Sequence, residues 1–304
     1  MELRQLEYFV AIVETGSFNQ AAERCHVSQP SLSQQIIKLE KEIGRKLFDR
    51  LGRSIALTEV GNVLYPHARS ILSEVQQAKY AVTEGYTVDE GSLQIGMIPT
   101  LGPYVLHETV KSFQEMYPRV DFGIYEDVTE NLIQKLLNAE LDVAYMSLPI
   151  NNKQITTEAL FVESLYMAVP ANHSLASSDT IETGKLGNIP FIRLSDQDCL
   201  ADQQDTFCYV QKIDPPKIYH TTQISTVMEF VRLGVGVSLV PICSAALYSG
   251  DDVVFRPISN SPAERTIVAA RHRGRANSPL IGAFNNCLQN SWRKITDNLF
   301  STHD

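Results

Sequence analysis

Two cysteines in the second half of the chain are the side chains best suited to chemistry. Cys199 and Cys208 lie nine positions apart in the polar, turn-prone stretch RLSDQDCLADQQDTFC. An intact helix would separate them by about 13 Å of axial rise, far beyond the ~5.5–6 Å between the Cα atoms of a disulfide. Joining them therefore requires local refolding, which would let oxidation select one of two backbone arrangements. The alternative is two incidental thiols, as is common in reducing compartments.

The other three cysteines are predicted to be structural. Cys25 falls within the second predicted helix and is interpreted as a core residue. Cys243 and Cys287 lie in apolar surroundings and are interpreted as small hydrophobic residues. None of the cysteines has a metal-type spacing to a histidine, so we predict neither a metal nor a cofactor.

The length and charge of the chain limit its class. Its 304 residues are enough for two or three domains, and its net charge is −9. Residues 1–60 hold eight basic and eight acidic side chains, so the net charge arises from the remainder. A neutral head on an acidic body suits local contact with DNA. The N-terminus lacks a signal-peptide pattern and no apolar run reaches ~18 residues, so we expect a cytoplasmic protein that does not contact membranes.

The first residues show the pattern of two short helices. Apolar residues recur at helical spacing in the first of them: Leu3, Leu6, Phe9, Val10 and Val13. Gly16 ends this helix, and Ser17 begins the second as its N-cap, with Gln20 placed to complete a capping box. The second helix is predicted to run to about His26.

A third helix carries a surface suited to reading DNA. Ser28 is its predicted N-cap, and Pro30 lies in the first turn, where a missing N–H is tolerated. One face is an apolar stripe: Leu32, Ile36, Leu39 and Ile43. The other face has hydroxyls, amides and a lysine, the groups that bond base edges and phosphates in the major groove. The predicted DNA-contacting residues of this helix are Ser28, Gln29, Pro30, Ser31, Ser33, Gln34 and Lys38.

The segment RKLFDRLGRSIALT completes this head. It contains two short extended pieces around Gly52, with Arg50 and Arg53 at the tip, which predicts a wing lying along the DNA backbone. The alternative is a small helical bundle with a solvated polar face. We assign residues 1–58 to a winged helix-turn-helix DNA-binding domain.

A long helix is predicted from Thr58 to about Tyr86. Its apolar residues form an a/d heptad seam: Leu64, Ala68, Ile71, Val75, Ala78 and Val82. A seam between two domains favours pairing of two chains, and the alternative is packing on the chain's own body. A two-fold protein would read a roughly palindromic site in double-stranded DNA. We assign residues 59–90 to a linker and dimerisation helix with a hinge that ends near Gly91.

Strands and helices alternate after Gly91, which predicts an α/β domain with parallel sheets. Crossovers near 162–168 and 260–268 would divide residues 91–304 into lobe I (about 91–163 and 268–304) and lobe II (about 164–267). A cleft between the lobes would lie beyond the strand C-termini, near helix N-termini. Thr100 and Thr129 occupy such positions, although helix capping alone would also account for both.

Residues 9–50 resemble the winged helix-turn-helix of LysR-type transcriptional regulators, through the pattern FxxxxxxGSFxxAAxxCHVSQPSLSQQIxxLExxxGxxLFxR. This resemblance implies a DNA-binding regulator rather than an enzyme. It also implies a linker helix that pairs two chains, a homotetramer built from two dimers, and a two-lobed regulatory domain like the periplasmic binding proteins. RNA polymerase is a candidate partner of such a regulator.

The regulatory half resembles the peroxide-sensing members of that family. The matching segments are IPTLGPY (98–104), C-L-x-D-Q-x-x-x-F-C (199–208), GVGVSLVP (234–241) and R-T-I (265–267). The resemblance implies that hydrogen peroxide oxidises Cys199 to a sulfenic acid, which then condenses with Cys208. It assigns Thr100 and Thr129 to placing the peroxide and Arg265 to stabilising the thiolate.

One position departs from that pattern. Such sensors usually have Gly-His before the first cysteine, whereas this chain has Gln197 and Asp198. Acidic side chains are frequent around the thiol: Asp196, Asp198, Asp202 and Asp205. Nearby negative charge opposes thiolate formation, so we expect slower oxidation or another oxidant.

Two other functions compete with peroxide sensing. A regulator of the same family with incidental cysteines would instead bind a small anionic metabolite in the inter-lobe cleft. A thiol peroxidase is disfavoured because a helix-turn-helix head has no role in such an enzyme.

Overall fold

The computed structural model describes residues 1–51, 54–82, 90–195, 198–250, 252–259, 263–275 and 278–301. The chain divides into two compact units. One consists of residues 1–88, 135–141 and 273–278, and the other of residues 89–134, 142–272 and 279–304.

The N-terminal head begins with helices α1 (Leu3–Thr15), α2 (Phe18–Arg24) and α3 (Gln29–Ile43). Gly16 ends α1 with a φ of 65°, and the Ser17 side chain accepts a hydrogen bond from Gln20 N, as predicted. The capping box was wrong in its second half, because Ser17 N donates to Thr15 Oγ1 at 3.4 Å. Helix α2 also ends at Arg24 rather than near His26.

Three helices and a hairpin enclose the core of the head. Its buried residues include members of all three helices: Leu6, Phe9, Ile12, Ala21, Leu32, Ile36 and Leu39. Strands β1 (Phe48–Leu51) and β2 (Ser54–Leu57) pair antiparallel, as the predicted wing requires. Arg50 lies in β1, whereas Gly52 and Arg53, the predicted tip, lie outside the described residues. Cys25 follows α2 instead of lying within it, and packs half-buried against this core.

The long helix α4 (Glu59–Val82) begins one residue after Thr58, whose hydroxyl accepts a hydrogen bond from Gly61 N at 3.0 Å. Ala68 is fully buried in the core of the head, and Leu64 and Ile71 pack against that core. The first half of the predicted dimer seam is therefore used within the chain. Ala78, later on the same stripe, is exposed. The predicted end near Tyr86 lies outside the described residues.

A seven-stranded mixed sheet forms the centre of the second unit. Strands β3 (Glu90–Met97), β4 (Arg119–Glu126) and β5 (Val143–Ser147) are parallel neighbours in it. The helices of this part are α5 (Gly102–Met116), α6 (Thr129–Leu137) and the C-terminal α10 (Pro279–Ser301). Stacked aromatic rings, such as Tyr145 against Phe284, join β5 to α10.

Two long antiparallel strands cross the domain where only short crossovers were predicted. They are β6 (Ile155–Pro170) and β11 (Ala263–His272), and they pair along most of their length. Strand β9 (Ser238–Pro241) and strand β10 (Val253–Arg256), which was not predicted, add to β6. Strands β7 (Phe191–Leu194) and β8 (Ile218–Thr221) form a separate parallel pair near helices α7 (Cys199–Val210), α8 (Ile224–Arg232) and α9 (Ala245–Tyr248).

Candidate functional site

Cys199 is the first residue of α7, the helix that follows strand β7 along the chain. The stretch interpreted as turn-prone is therefore helical from Cys199 to Val210. The helix begins here because Asp198 is its N-cap, with a carboxylate oxygen that accepts from Leu200 N at 2.8 Å. Backbone N–H groups and the positive end of the helix dipole thus lie beside the thiol, a setting that favours a thiolate.

Helix α7 is held in place through Gln204, which is buried. The side-chain oxygen of Gln204 accepts from Leu194 N at 3.1 Å, and its amide donates to Ser238 Oγ at 3.2 Å and to Leu239 O at 2.8 Å. One side chain therefore connects α7 to both β7 and β9. This network stabilises the helical arrangement that a Cys199–Cys208 disulfide would have to break.

Arg265 is held in the interior by a carboxylate that we did not predict. Glu163 lies opposite Arg265 in the pairing of β6 with β11, and both side chains are fully buried. The Nε and Nη2 atoms of Arg265 each lie 2.7 Å from Glu163 Oε2. The sequence signal for this pair is a lone glutamate within the apolar strand ALFVESLYMAV, because burial of a carboxylate is costly unless a partner compensates it.

The guanidinium of Arg265 also reaches Thr100. Nη1 donates to Thr100 Oγ1 and Nη2 to Thr100 O, each at 2.8 Å. Arg265 and Cys199 interact electrostatically, and the positive charge lowers the pKa of the thiol. The structure therefore brings together three predicted site residues, and it shows that Thr100 anchors the arginine rather than capping α5.

Burial dominates the electrostatics of Cys199. Loss of solvent raises the pKa of the Cys199 thiol to about 11, with Arg265 opposing this rise and Asp198 adding to it. Burial also raises the pKa of Asp198 itself. Cys199 is therefore a protonated thiol near neutral pH, and its thiolate fraction increases as pH rises toward 11.

Thr129 contributes a buried hydroxyl beside the Cys199 thiol. It was predicted to cap α6, but Asp127 Oδ1 accepts from Val128 N at 2.9 Å and from Asn131 Nδ2 at 2.8 Å at that helix start. Thr129 Oγ1 is buried, and a hydrogen bond between this hydroxyl and the Cys199 sulfur lowers the pKa of the thiol. A small polar molecule beside the sulfur would also lie within reach of the Thr129 hydroxyl.

Cys208 is far from Cys199 while α7 is intact. Nine residues of helix correspond to about 13 Å of rise and about half a turn of net rotation, so the two thiols lie on opposite faces. Burial raises the pKa of Cys208 to about 11, and Asp205 adds to this while Arg193 opposes it. Arg193 forms a salt bridge with Asp205. All five cysteines are free thiols.

Cys243 also lies at this site, although the sequence predicted only a small hydrophobic residue. It is fully buried, and its backbone N donates to Glu163 Oε1 at 3.3 Å. Arg265 and Glu163 both act on the pKa of this thiol, which burial raises well above its ordinary value. Cys287 is buried, as predicted.

The predicted DNA-reading residues share the open face of α3. The exposed members are Ser28, Pro30, Ser31, Gln34 and Lys38. Gln29 and Ser33 are half-buried and hydrogen-bond each other, with Gln29 Nε2 donating to Ser33 Oγ at 2.9 Å. Ser28 caps the helix by accepting from Ser31 N. The N-terminal half of α3 therefore presents amides and hydroxyls that are free of the core.

Two absences are observed in the part of the chain that the structure describes. No cluster of His, Cys, Asp and Glu side chains there could hold a metal ion. No described helix is both long enough and apolar enough to cross a membrane.

Two family models match the chain. "Bacterial regulatory helix-turn-helix protein, lysR family" matches residues 3–62, and "LysR substrate binding domain" matches residues 87–293. Together they cover the head and nearly all of the second unit.

The relatives include peroxide-responsive regulators. A hydrogen peroxide-inducible genes activator from Pectobacterium carotovorum subsp. carotovorum is 32% identical over 285 residues, covering 93% of each chain. The DNA-binding transcriptional dual regulator OxyR of Escherichia coli (strain K12) is 32% identical over 268 residues, covering 88% of each chain. A solved full-length OxyR variant from Pseudomonas aeruginosa has a TM-score of 0.79 at 28% identity, covering 95% of each chain.

Proposed function

Because the chain belongs to the LysR family of DNA-binding transcriptional regulators, we propose that it is a redox-responsive activator that detects hydrogen peroxide through Cys199 and Cys208. It has the family fold, with a winged helix-turn-helix, a linker helix and a two-lobed regulatory domain, and it is a regulator rather than an enzyme. Relatives that are activators of hydrogen peroxide-inducible genes support both the oxidant and the activating output.

One observation carries this proposal: Cys199 begins a helix beside a buried arginine and the buried hydroxyl of Thr129. The helix N-terminus and Arg265 both favour the thiolate that attacks a peroxide. Thr129 offers a hydrogen bond to the bound peroxide, and Thr100 holds the arginine in place.

The proposed reaction has two steps. The Cys199 thiolate attacks one peroxide oxygen, the O–O bond breaks, and the departing hydroxide takes up a proton to become water. The sulfenic acid on Cys199 is then attacked by the Cys208 thiolate, which forms the disulfide and releases a second water molecule. Hydrogen peroxide is reduced, and the two thiols together lose two electrons.

The second step must unfold α7, because its ends are too far apart for a disulfide. Unfolding would break the hydrogen bonds by which the Gln204 side chain connects α7 to β7 and β9. We propose that this local change repositions the lobes and hence the DNA-binding heads.

Non-reducing gel electrophoresis after peroxide treatment tests this function. We expect wild type to migrate faster as a cross-linked chain, whereas Cys208→Ser keeps its mobility. Unchanged mobility of both proteins would favour the runner-up function, a regulator that binds a small anionic effector in the inter-lobe cleft. The raised pKa values of both thiols are the observation that favours that alternative.

We predict that Asp198→Asn accelerates oxidation of Cys199. Asparagine can still cap α7, but it removes the negative charge that raises the pKa of the thiol. Each unit by which that pKa falls gives about tenfold more thiolate at neutral pH. The pH dependence of Cys199 alkylation measures this, with Asp202→Asn as the matched control on the same helix. Asp198→His, which restores the usual residue, should act in the same direction. If the alkylation midpoint falls at the same pH in all of these proteins, the Asp198 carboxylate does not raise the pKa of Cys199 or slow its oxidation.

The open face of α3 is proposed to enter the major groove of roughly palindromic, double-stranded promoter DNA. We predict that Gln34→Ala weakens binding to the specific site by about 1–3 kcal/mol, with little effect on random DNA. Lys38→Ala should instead weaken binding to every sequence and flatten its salt dependence, because it removes a phosphate contact. Titrations of both DNAs at several salt concentrations would contradict these roles if the two variants behaved alike. Arg50 and Arg53 are proposed to act like Lys38, and Gln29 and Ser33 like Gln34.

We propose a homodimer through the second half of α4, where Ala78 is exposed, and a homotetramer of two such dimers that contacts RNA polymerase at the promoter. We predict that Ala78→Glu dissociates the dimer, since it would bury an unpaired charge in the pairing surface. Asn62→Glu, exposed on the same helix, is the control. Sedimentation velocity gives the oligomeric state, and an unchanged assembly for Ala78→Glu would remove α4 as the interface. Ile71→Glu is unsuitable because Ile71 packs on the head.

A further inference from the structure

A groove with a volume of about 610 Å³ lies along one face of α7. Its walls are largely apolar, with contributions from Leu148, Pro149, Leu165, Phe207 and Val210. Val210 is 61% exposed and Leu148 38% exposed, although both side chains are apolar. The space is much larger than hydrogen peroxide requires.

The groove lies on the same side of α7 as the Cys199 thiol. Gln203, Thr206 and Val210 line it, and they follow Cys199 at i+4, i+7 and i+11, the spacing of one helix face. Residues 263–266 of β11 also line the groove, and the buried guanidinium of Arg265 in this segment acts on Cys199. Gln203 places the groove one helical turn from Cys199 along the same face of α7.

The polar groups of the groove indicate which molecules fit. Gln203 Nε2 donates to Ser147 Oγ at 2.6 Å, but Gln203 Oε1 is buried and has no hydrogen-bond partner among the described residues. This oxygen can accept a hydrogen bond from an O–H group. Asp202 and Glu264 line the groove as exposed carboxylates, so an anionic ligand would be repelled.

We infer that the groove admits neutral organic hydroperoxides, with the apolar group in the groove and the O–O bond at Cys199. The inference rests on the proposed peroxide chemistry and extends it to a substrate class. The Cys199 thiolate attacks the terminal oxygen of ROOH, the O–O bond breaks, and the alkoxide takes a proton and leaves as ROH. The sulfur is oxidised to a sulfenic acid. The apolar group does not take part in the reaction, but its burial in the groove releases binding energy. That energy accelerates the reaction because it holds the O–O bond in position for attack by the sulfur.

The test measures sulfenic acid formation at Cys199 in full-length Cys208→Ser protein, by mass spectrometry with a trapping reagent. The oxidants are hydrogen peroxide, cumene hydroperoxide and the 4-carboxylate of cumene hydroperoxide. We expect cumene hydroperoxide to react at least about tenfold faster than hydrogen peroxide, equivalent to about 1.4 kcal/mol. The carboxylate should lose most of that gain.

A groove-filling variant makes the test specific. Thr206→Trp, at an exposed position of α7, should slow cumene hydroperoxide about tenfold and leave hydrogen peroxide within about twofold. Tyr209→Trp is the control, because Tyr209 is 86% exposed on α7 and does not line the groove.

The outcomes separate the two proposals. Hydrogen peroxide reacting as fast as cumene hydroperoxide, or Thr206→Trp leaving the cumene rate unchanged, would overturn the organic substrate class while peroxide sensing stands. An unchanged cumene hydroperoxide rate in Thr206→Trp is also the result expected if the groove binds an effector that is not an oxidant. If neither oxidant modifies Cys199, both proposals are wrong.

Discussion

Replacement of Cys199 by serine is expected to abolish the response to peroxide completely. Serine has nearly the same shape as cysteine, so it should keep the position at the start of α7, but its hydroxyl does not attack the O–O bond as a thiolate does. The variant should fold, bind DNA and stay in the reduced arrangement. Reporter transcription before and after peroxide measures the loss, with wild type as the reference.

Cys208→Ser is the matched partner of that variant. It retains the reactive sulfur, so Cys199 should become a sulfenic acid that persists because no second thiol resolves it. Its α7 should remain helical, whereas wild type should lose the helical signal of that 12-residue segment on oxidation. A normal peroxide response in Cys199→Ser would assign the sensing to another group, and Cys243 would be the first to examine because it contacts the same buried pair.

Glu163→Gln is expected to have the largest effect on stability. It would leave Arg265 as a charge without a counterion in a fully buried position, and breaking a buried pair in this way costs about 3–5 kcal/mol. Folded domains are typically stable by only about 5–15 kcal/mol, so the variant should unfold at much lower urea concentration. The measurement is the urea concentration at which half of the regulatory domain is unfolded. The slope of the unfolding free energy against urea concentration should not change.

Glu182→Gln is the control for that prediction. Glu182 pairs with Lys185 on the surface, with side chains 58% and 51% exposed, and such pairs contribute at most about 1 kcal/mol. Equal midpoints for Glu163→Gln and Glu182→Gln would contradict the role of Glu163. The arginine beside Cys199 would then not depend on Glu163 for its charge or position.

The sequence predicted the elements whose signals are local. Ser17 and Ser28 cap helices, Gly16 ends one, and alternating apolar runs became strands, because caps, turns and periodicity depend on neighbouring residues. It did not predict α7 as a helix, because the polar run around Asp202 and Asp205 conceals an apolar face with Leu200 and Phe207.

Long-range pairing explains what the sequence could not supply. Glu163 and Arg265 are 102 positions apart and meet only because β6 and β11 pair antiparallel. The heptad seam of α4 was misleading for a similar reason. An apolar stripe shows that a helix packs against something, but the fold of the head determines that Ala68 packs inside its own chain. The capping role predicted for Thr129 was wrong, because Asp127 supplies the oxygen that accepts hydrogen bonds at the start of α6, and its place in the peroxide site stays a prediction.

Peptide mapping of the purified, reduced protein after brief exposure to hydrogen peroxide tests the central claim most directly. Our account predicts that the peptides containing Cys199 and Cys208 are joined by a disulfide, while Cys25, Cys243 and Cys287 remain thiols. It also predicts that the joined form appears together with a loss of helical signal from α7. Cys199 remaining a free thiol in excess hydrogen peroxide would contradict the sensor function, although the chain would remain a DNA-binding regulator of the LysR family.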